Sequence, residues 1–308
     1  MTLSESTDQT STATSASSTT RPTVALLGLG PMGLTLARTL AFSGLDVRVW
    51  SRTPGRADDV EGIDEVRSVA AAVDGADLVV ASLRDHDAFR IAFEPVEASA
   101  LTGTIVVNTS SATPAEARRT AEWAAARDIR YLSSAVMVPT PVIGTEQSLL
   151  LFSGGGDDFD AVAPALAALG RLEYLGDDHG AASLLDVSML EVFFAGMTSF
   201  LHAAAMLTAN GRTAAEFVPW ATSMLEALGG TFVGLARDVD AERYPGDEDR
   251  LSMDLAALQH IVDASDEIGL DGGVARAMRD LAARWVAAGF GDDSFSRVIE
   301  SVRTPPVG

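Results

Sequence analysis

The chain has 308 residues, 43 of them acidic and 22 basic, for a formal net charge of −21. At about 150 residues per domain this length predicts two domains, and so acidic a surface argues against nucleic acid as a partner, since phosphate binding needs clustered cations. Every basic residue is Arg and Cys is absent, which excludes lysine mechanisms, disulfides, thiolate metal sites and cysteine nucleophiles, and is compatible with a cytoplasmic location.

Residues 1–20 contain 13 Ser or Thr, no basic residue and no apolar core, so they read as a disordered tail and not as a signal peptide. Thr23–Leu29 is a short apolar run that stops at glycine, as a buried parallel strand does. Helical spacing follows from Pro31 to Gly44, and Asp46–Trp50 is the second strand. Ala76–Leu83 and Thr104–Ser111 are further strands, after which Thr113-Pro114 opens an Ala-rich helix. IRYLSSAVM, SLLLFSGG and LEYLG complete the strands by about Leu175. Strands alternating with helices predict an α/β domain with a doubly wound, mainly parallel sheet.

Beyond Gly176 the periodicity is helical throughout. A long helix, roughly Ala181 to Leu207, leads into segments near 212–229, 231–240, 250–268 and 272–289. The expected organisation is therefore a tail over 1–20, a dinucleotide-binding Rossmann domain over 21–178, an interdomain helix over 179–208 and an all-α domain over 209–308. Val192–Gly211 carries no formal charge and is as long as a membrane span. It contains Thr198, Ser199, His202, Thr208 and Asn210 and continues from a stretch with Asp186 and Glu191, so burial between domains or subunits is expected, with no membrane. No repeat and no metal-ligand spacing is present.

Gly28, Gly30 and Gly33 form GLGPMG directly after a strand and at the start of a helix. Glycines there allow a tight turn, close approach to a pyrophosphate and packing of helix on sheet, and the helix N-terminus favours an anion. Leu29, Pro31 and Met32 complete the turn, and Leu83, ending a later strand, is assigned to the same cofactor site. An NAD-selective site places an acid at the end of the second strand. Here that end reads Trp50-Ser51-Arg52-Thr53-Pro54-Gly55-Arg56. Ser51, Arg52, Thr53 and Arg56 accommodate a 2′-phosphate, so NADPH is the expected cofactor.

Asp186 interrupts Leu184, Leu185, Val187, Met189 and Leu190, and on an ideal helix it shares a face with Leu190, Phe193 and Met197. A carboxylate on an apolar face is costly unless paired or protonated, and burial raises its pKa towards the range of a useful proton donor. As a carboxylate it would instead stabilise an iminium cation. An Asp bonded to neighbouring backbone, or facing solvent, is the structural alternative.

GLGPMG with WSRTPGR, then VVNTSSATPAEAR, SSAVMVPTPVIGTEQSLLLFSG, GAASLLDVSMLEVFFAGMTSFLHAAAML and LQHIVDASDEIGLDGG, together resemble the imine reductases and reductive aminases, within the superfamily of 3-hydroxyisobutyrate and 6-phosphogluconate dehydrogenases. The run Ala135–Thr145 and LLDVSML are the more specific segments. The resemblance implies a homodimer whose helical domains intertwine and whose active site is shared between subunits. It implies reduction of a C=N bond in a small-molecule imine by NADPH, with Asp186 at the position where hydroxyacid dehydrogenases use Lys. It places Asn108 and Ser110 beside the cofactor. Ser111, Met137, Val138, Leu190, Phe193 and Phe194 fall around the substrate. Reductive aminases of the family often carry Tyr eight residues after the Asp; Phe194 departs from this and favours a preformed imine over ketone-plus-amine condensation. Asp at the proton-donor position tends to accompany R-selective members. Trp220, Met224 and Phe232 are candidate substrate walls or plain core, His202 and His260 read as core or interface histidines, and Asp247–Asp249 as a solvated turn. The competing expectations are a carbonyl or hydroxyacid reductase that does without Lys, and an NADPH-binding dimer without turnover.

Overall fold

The computed structural model describes residues 21–303, so the tail expected over 1–20 lies outside the described residues. In chain order the elements of the first half are β1 (Thr23–Leu27), α1 (Pro31–Phe42), β2 (Asp46–Trp50), β3 (Ile63–Glu65), α2 (Val69–Val73), β4 (Leu78–Ala81), α3 (His86–Phe93), β5 (Ile105–Asn108), α4 (Pro114–Ala125), β6 (Arg130–Val136), β7 (Leu149–Gly154), α5 (Gly156–Leu166) and β8 (Arg171–Tyr174). Helices follow: α6 (Ala181–Ala209), α7 (Ala214–Asp240), α8 (Leu251–Glu267), α9 (Gly273–Ala287) and α10 (Ile299–Arg303). By its internal contacts the chain divides between Leu190 and Glu191, within α6.

The first unit holds one eight-stranded sheet in the order β3-β2-β1-β4-β5-β6-β7-β8. It is parallel except at β6–β7, where the chain turns back, so the expected doubly wound, mainly parallel sheet is what forms. Alternation along the strands feeds a core on each face. Val24 and Leu26 of β1 pack with Leu36, Leu40 and Val107 on one face, while Ala25 and Leu27 pack with Phe89, Phe93 and Val106 on the other. Because β2 and β4 flank β1, the order reverses there, and a crevice opens beyond the carboxyl ends of β1 and β4.

In the second unit α8 and α9 pack together, with Leu251, Val262, Ala275 and Ala282 buried. Arg297 lies over the rings of Tyr244 and Phe290, 4.5 and 4.3 Å from their centroids. Asp238 is buried beside Ser296, whose hydroxyl donates to it at 3.0 Å. The helices expected separately over 212–229 and 231–240 are one, α7, running straight through Gly229-Gly230. Each glycine costs only about 1 kcal/mol in a helix interior, and the apolar spacing of Leu225, Leu228 and Phe232 continues across them. His260 is exposed and not a core residue, because it falls on the outer side of α8, whereas His202 is half-buried with Nε2 3.2 Å from the Ser265 hydroxyl.

α6 is long and apolar enough to cross a membrane by length and composition, yet little of its apolar window is buried in the single chain. Leu184, Leu185, Val187, Met189 and Val192 are all exposed.

Candidate active site

The glycine turn after β1 is shaped by contacts that only glycine permits. Gly28 sits at φ +97°, and a Cβ there would lie 2.3 Å from the Ser82 carbonyl oxygen; a Cβ on Gly33 would lie 1.9 Å from the Gly28 carbonyl oxygen. These two residues pack α1 down onto the strand ends. Gly30 differs: a Cβ there would meet nothing within 4 Å, because the residue faces the open crevice. It caps α1 without a side chain, with Pro31 next, leaving the first backbone N–H groups of the helix unoccupied by any cap.

The crevice holds about 540 Å³ and is lined by the whole turn Gly28–Gly33, by Ser51, Arg52, Thr53 and Arg56 beyond β2, and by Leu83 beyond β4. Trp50 at the end of β2, and Ser82, Arg84, Ala88, Ile91 and Ala92 from the end of β4 to α3, complete the wall; sequence reasoning missed these, and for the α3 side the signal is Asp85, whose side chain caps α3 by accepting from the Ala88 N–H at 2.7 Å. Arg52 has no ion-pair partner among the described residues, and Arg56 bonds only a carbonyl, that of Leu29. A backbone cradle at a helix N-terminus, free space in front of Gly30, and two cations beyond β2 suit a dinucleotide with a 2′-phosphate.

Asn108 and Ser110 lie behind this wall. Asn108 is fully buried, its amide donating to the Tyr131 hydroxyl at 3.1 Å while its oxygen accepts from the Ser110 N–H at 3.1 Å. The Ser110 hydroxyl accepts from the Leu83 N–H at 3.3 Å. Burial pushes the Tyr131 phenol up to about 12, so it stays neutral. His86, 4% exposed, completes the chain: its Nε2 is 3.2 Å from the Ser110 carbonyl and its Nδ1 2.8 Å from the Thr120 hydroxyl, which also accepts from Arg90. The carbonyl can only accept, so Nε2 carries the proton and Nδ1 accepts from Thr120.

Residues 178–304 match the C-terminal domain of NADPH-dependent reductive aminase-like proteins, and residues 23–177 match the NAD-binding domain of 6-phosphogluconate dehydrogenase. An imine reductase from Bacillus cereus is 35% identical over 92% of this chain and 100% of its own, with a TM-score of 0.83. The chain belongs to the imine reductase and reductive aminase family. A reductive aminase from Aspergillus terreus, solved with NADPH and ethyl levulinate, is 32% identical with a TM-score of 0.88 over 92% of this chain and 100% of that one. Among curated relatives, the NADPH-dependent reductive aminase of Aspergillus oryzae is 29% identical over 90% of this chain and 96% of its own.

In this imine reductase chain Asp186 is only 5% exposed. α6 enters with Ala182 packed against Ala135 and Leu151, with Met137 alongside, and Asp186 follows one turn later on the same face. Its carboxyl has no hydrogen-bond or ion-pair partner among the described residues, and desolvation alone raises its pKa above the usual carboxylate value. It therefore makes no capping bond among the described residues and is largely withdrawn from solvent in the single chain. Met137 and Val138 are half-buried at the end of β6 and Ser111 is exposed. Further along α6, Leu190 is half-buried, while Phe193 and Phe194 are exposed and meet edge to face at 5.6 Å. Trp220 and Met224 are exposed on α7.

Proposed function

We propose that this member of the imine reductase family reduces preformed imines, cyclic ones above all, to chiral amines of R configuration, with Asp186 supplying the proton to nitrogen. The observation that carries the reading is a buried carboxyl with no partner in a chain that has no Lys. When bound, NADPH supplies a hydride from nicotinamide C4 to the imine carbon. The turn Gly28–Gly33 and the cations Arg52 and Arg56 hold and orient the dinucleotide, and the buried links from Tyr131 through Asn108 and Ser110 to Leu83 fix the wall behind it. Burial favours the neutral acid at Asp186, so the group is a donor at pH values where an exposed aspartate would already be ionised. Lysine-assisted polarisation of a carbonyl is impossible here, and Phe194 offers no hydroxyl to orient a free amine, which supports reduction over condensation.

The same reading makes the protein a cytoplasmic homodimer, with a cofactor domain over 21–178, an interdomain helix over 179–208 and a helical domain over 209–308. Along α6 the carboxylate points in and its apolar neighbours point out, an inversion that calls for a second apolar surface. A second copy laid against this face supplies it and closes the substrate site.

The test follows NADPH oxidation with 2-methylpyrroline, with a matched ketone, and with an Asp186→Ala variant, alongside native mass spectrometry. Turnover of the imine alone, lost by about 10² or more in the variant as for removal of an acid–base group, and a dimer mass support the reading. Ketone turnover without imine turnover would replace it with a carbonyl reductase, and NADPH binding without any turnover would leave a binding protein.

A further inference from the structure

Between β2 and the cofactor crevice the chain makes a loop, Ser51–Ala57, that must present Arg52 and Arg56 to the ribose. Its backbone is not self-sufficient: Gly55 lies at φ +81° and the loop forms no regular element. What holds it is a carboxylate from outside. Glu65 ends the edge strand β3, in register with Val49 of β2. One of its oxygens accepts from the Gly55 N–H at 3.0 Å and the other from the Ala57 N–H at 3.1 Å.

These two amides flank Arg56. Ala57 is buried in the core below the loop, and the Arg56 guanidinium reaches forward to the Leu29 carbonyl at 3.2 Å. The backbone of Arg56 is thus clamped on both sides while its side chain lies along the crevice wall. Amide pairs of this kind attract anions. With Glu65 already occupying them, an incoming phosphate is left to the side chains of Ser51, Arg52 and Arg56. No ion pair joins Glu65 to Arg56 among the described residues, so the cation is not neutralised by the carboxylate that positions it.

We propose that Glu65 is a positioning residue for the 2′-phosphate of NADPH, acting by clamping the Gly55 and Ala57 amides so that Arg56 is held at the ribose end of the crevice. The inference rests on the placement of that phosphate at Ser51–Arg56.

Calorimetric titration of the full chain with 2′,5′-ADP and with 5′-AMP separates the two ideas without catalysis. In Glu65→Ala the preference for 2′,5′-ADP over 5′-AMP falls about tenfold or more, the scale of a misplaced charged hydrogen bond. Glu65→Gln keeps one acceptor oxygen and nearly the same shape, so it recovers part of the preference, and it serves in place of the alanine variant should that fail to fold. An unchanged preference in both variants while Arg56→Ala loses it would overturn the role of Glu65. Tighter 2′,5′-ADP binding in Glu65→Ala would also overturn it, marking Glu65 as a plain repelling charge. A wild-type protein that binds both ligands equally would remove the phosphate placement itself, and this inference with it.

Discussion

The Arg56 guanidinium donates to the Leu29 carbonyl oxygen at 3.2 Å, which ties the loop after β2 to the glycine turn after β1. One cation thus braces two loops that line the same crevice, which in the proposed reading would meet opposite ends of the dinucleotide's adenosine half. Arg52, with no such anchor, is free to serve the phosphate alone. Arg52→Ala is expected to raise KM for NADPH about ten- to a hundredfold, the loss of a charged hydrogen bond, and to change KM for NADH by less than about threefold. Arg56→Ala weakens both cofactors, since the brace is lost with the charge. Initial-rate kinetics with each cofactor check this; equal losses for NADH and NADPH in Arg52→Ala would place the 2′-phosphate elsewhere.

The three glycines of the turn differ in what a methyl group does. At Gly33 a Cβ would sit 1.9 Å from a backbone carbonyl oxygen, so Gly33→Ala must shift α1 off the strand ends and is expected to lower thermal stability measurably. At Gly30 a Cβ meets nothing in the protein; Gly30→Ala keeps its melting temperature and loses cofactor affinity, because the methyl occupies the space of the pyrophosphate. Thermal melts with and without NADPH distinguish them: the stabilisation by saturating cofactor shrinks in Gly30→Ala. If it does not, the pyrophosphate does not lie against Gly30.

Asp186 sets function against stability. Its folded pKa is raised, so the native state takes up a proton more readily than the unfolded chain, and stability falls as pH rises from the unfolded value through the folded one. At pH 8 the charge is buried at a cost. Asp186→Asn removes that cost and is expected to melt higher at pH 8 by an amount corresponding to about 1–3 kcal/mol, with the gain vanishing towards pH 4. Imine reduction falls in the same variant by about 10² or more. For the wild type, the rate declines as pH rises through the raised pKa. An Asn variant no more stable at any pH would show that the carboxylate is solvated or paired in the working enzyme.

Much of this arrangement was legible in the sequence because its constraints are local. GLGPMG after an apolar strand fixes a turn, a helix start and a crevice within a few residues, and the segment ending in Ser51-Arg52 announces a phosphate by what replaces the acid. Asp186 stood out because a charge broke an apolar run. What stayed hidden depends on distant partners. β3 is three residues long and gains its strand only by pairing with β2, so neither it nor the two amides that Glu65 holds have a local pattern. α2, α3 and α5 carry short or mixed apolar spacing that tertiary packing completes. Gly229-Gly230 suggested a break in α7 that the continuing apolar spacing overrides. The buried route from Tyr131 to Thr120 joins β6, β5, α3 and α4, elements that only the fold brings together.

That route makes a prediction about acid stability. Burial pushes the His86 pKa below the ordinary histidine value; the hydrogen bond to the Ser110 carbonyl opposes this most, then Glu116, while Arg90 adds to the lowering and Asp85 opposes it least. With a folded pKa below the unfolded one, the stability that His86 contributes is present above about pH 6.5 and is lost as pH falls towards the folded value. Protonation would also put a second donor on Nδ1, against a Thr120 hydroxyl that already accepts from Arg90. His86→Gln keeps one acceptor and one donor at similar reach but does not titrate. The variant is therefore expected to melt slightly below wild type near pH 8 and to close or reverse that gap near pH 5.5. Some acid sensitivity persists in both, since His179 is half-buried and desolvation lowers its pKa as well. Because His86 supports the Ser110 backbone and Ser110 holds the Leu83 amide, a His86→Ala variant should in addition bind NADPH more weakly than His86→Gln. Parallel melting curves for wild type and His86→Gln across the whole pH range would show that His86 does not carry the acid response, and the search for it would move to His179.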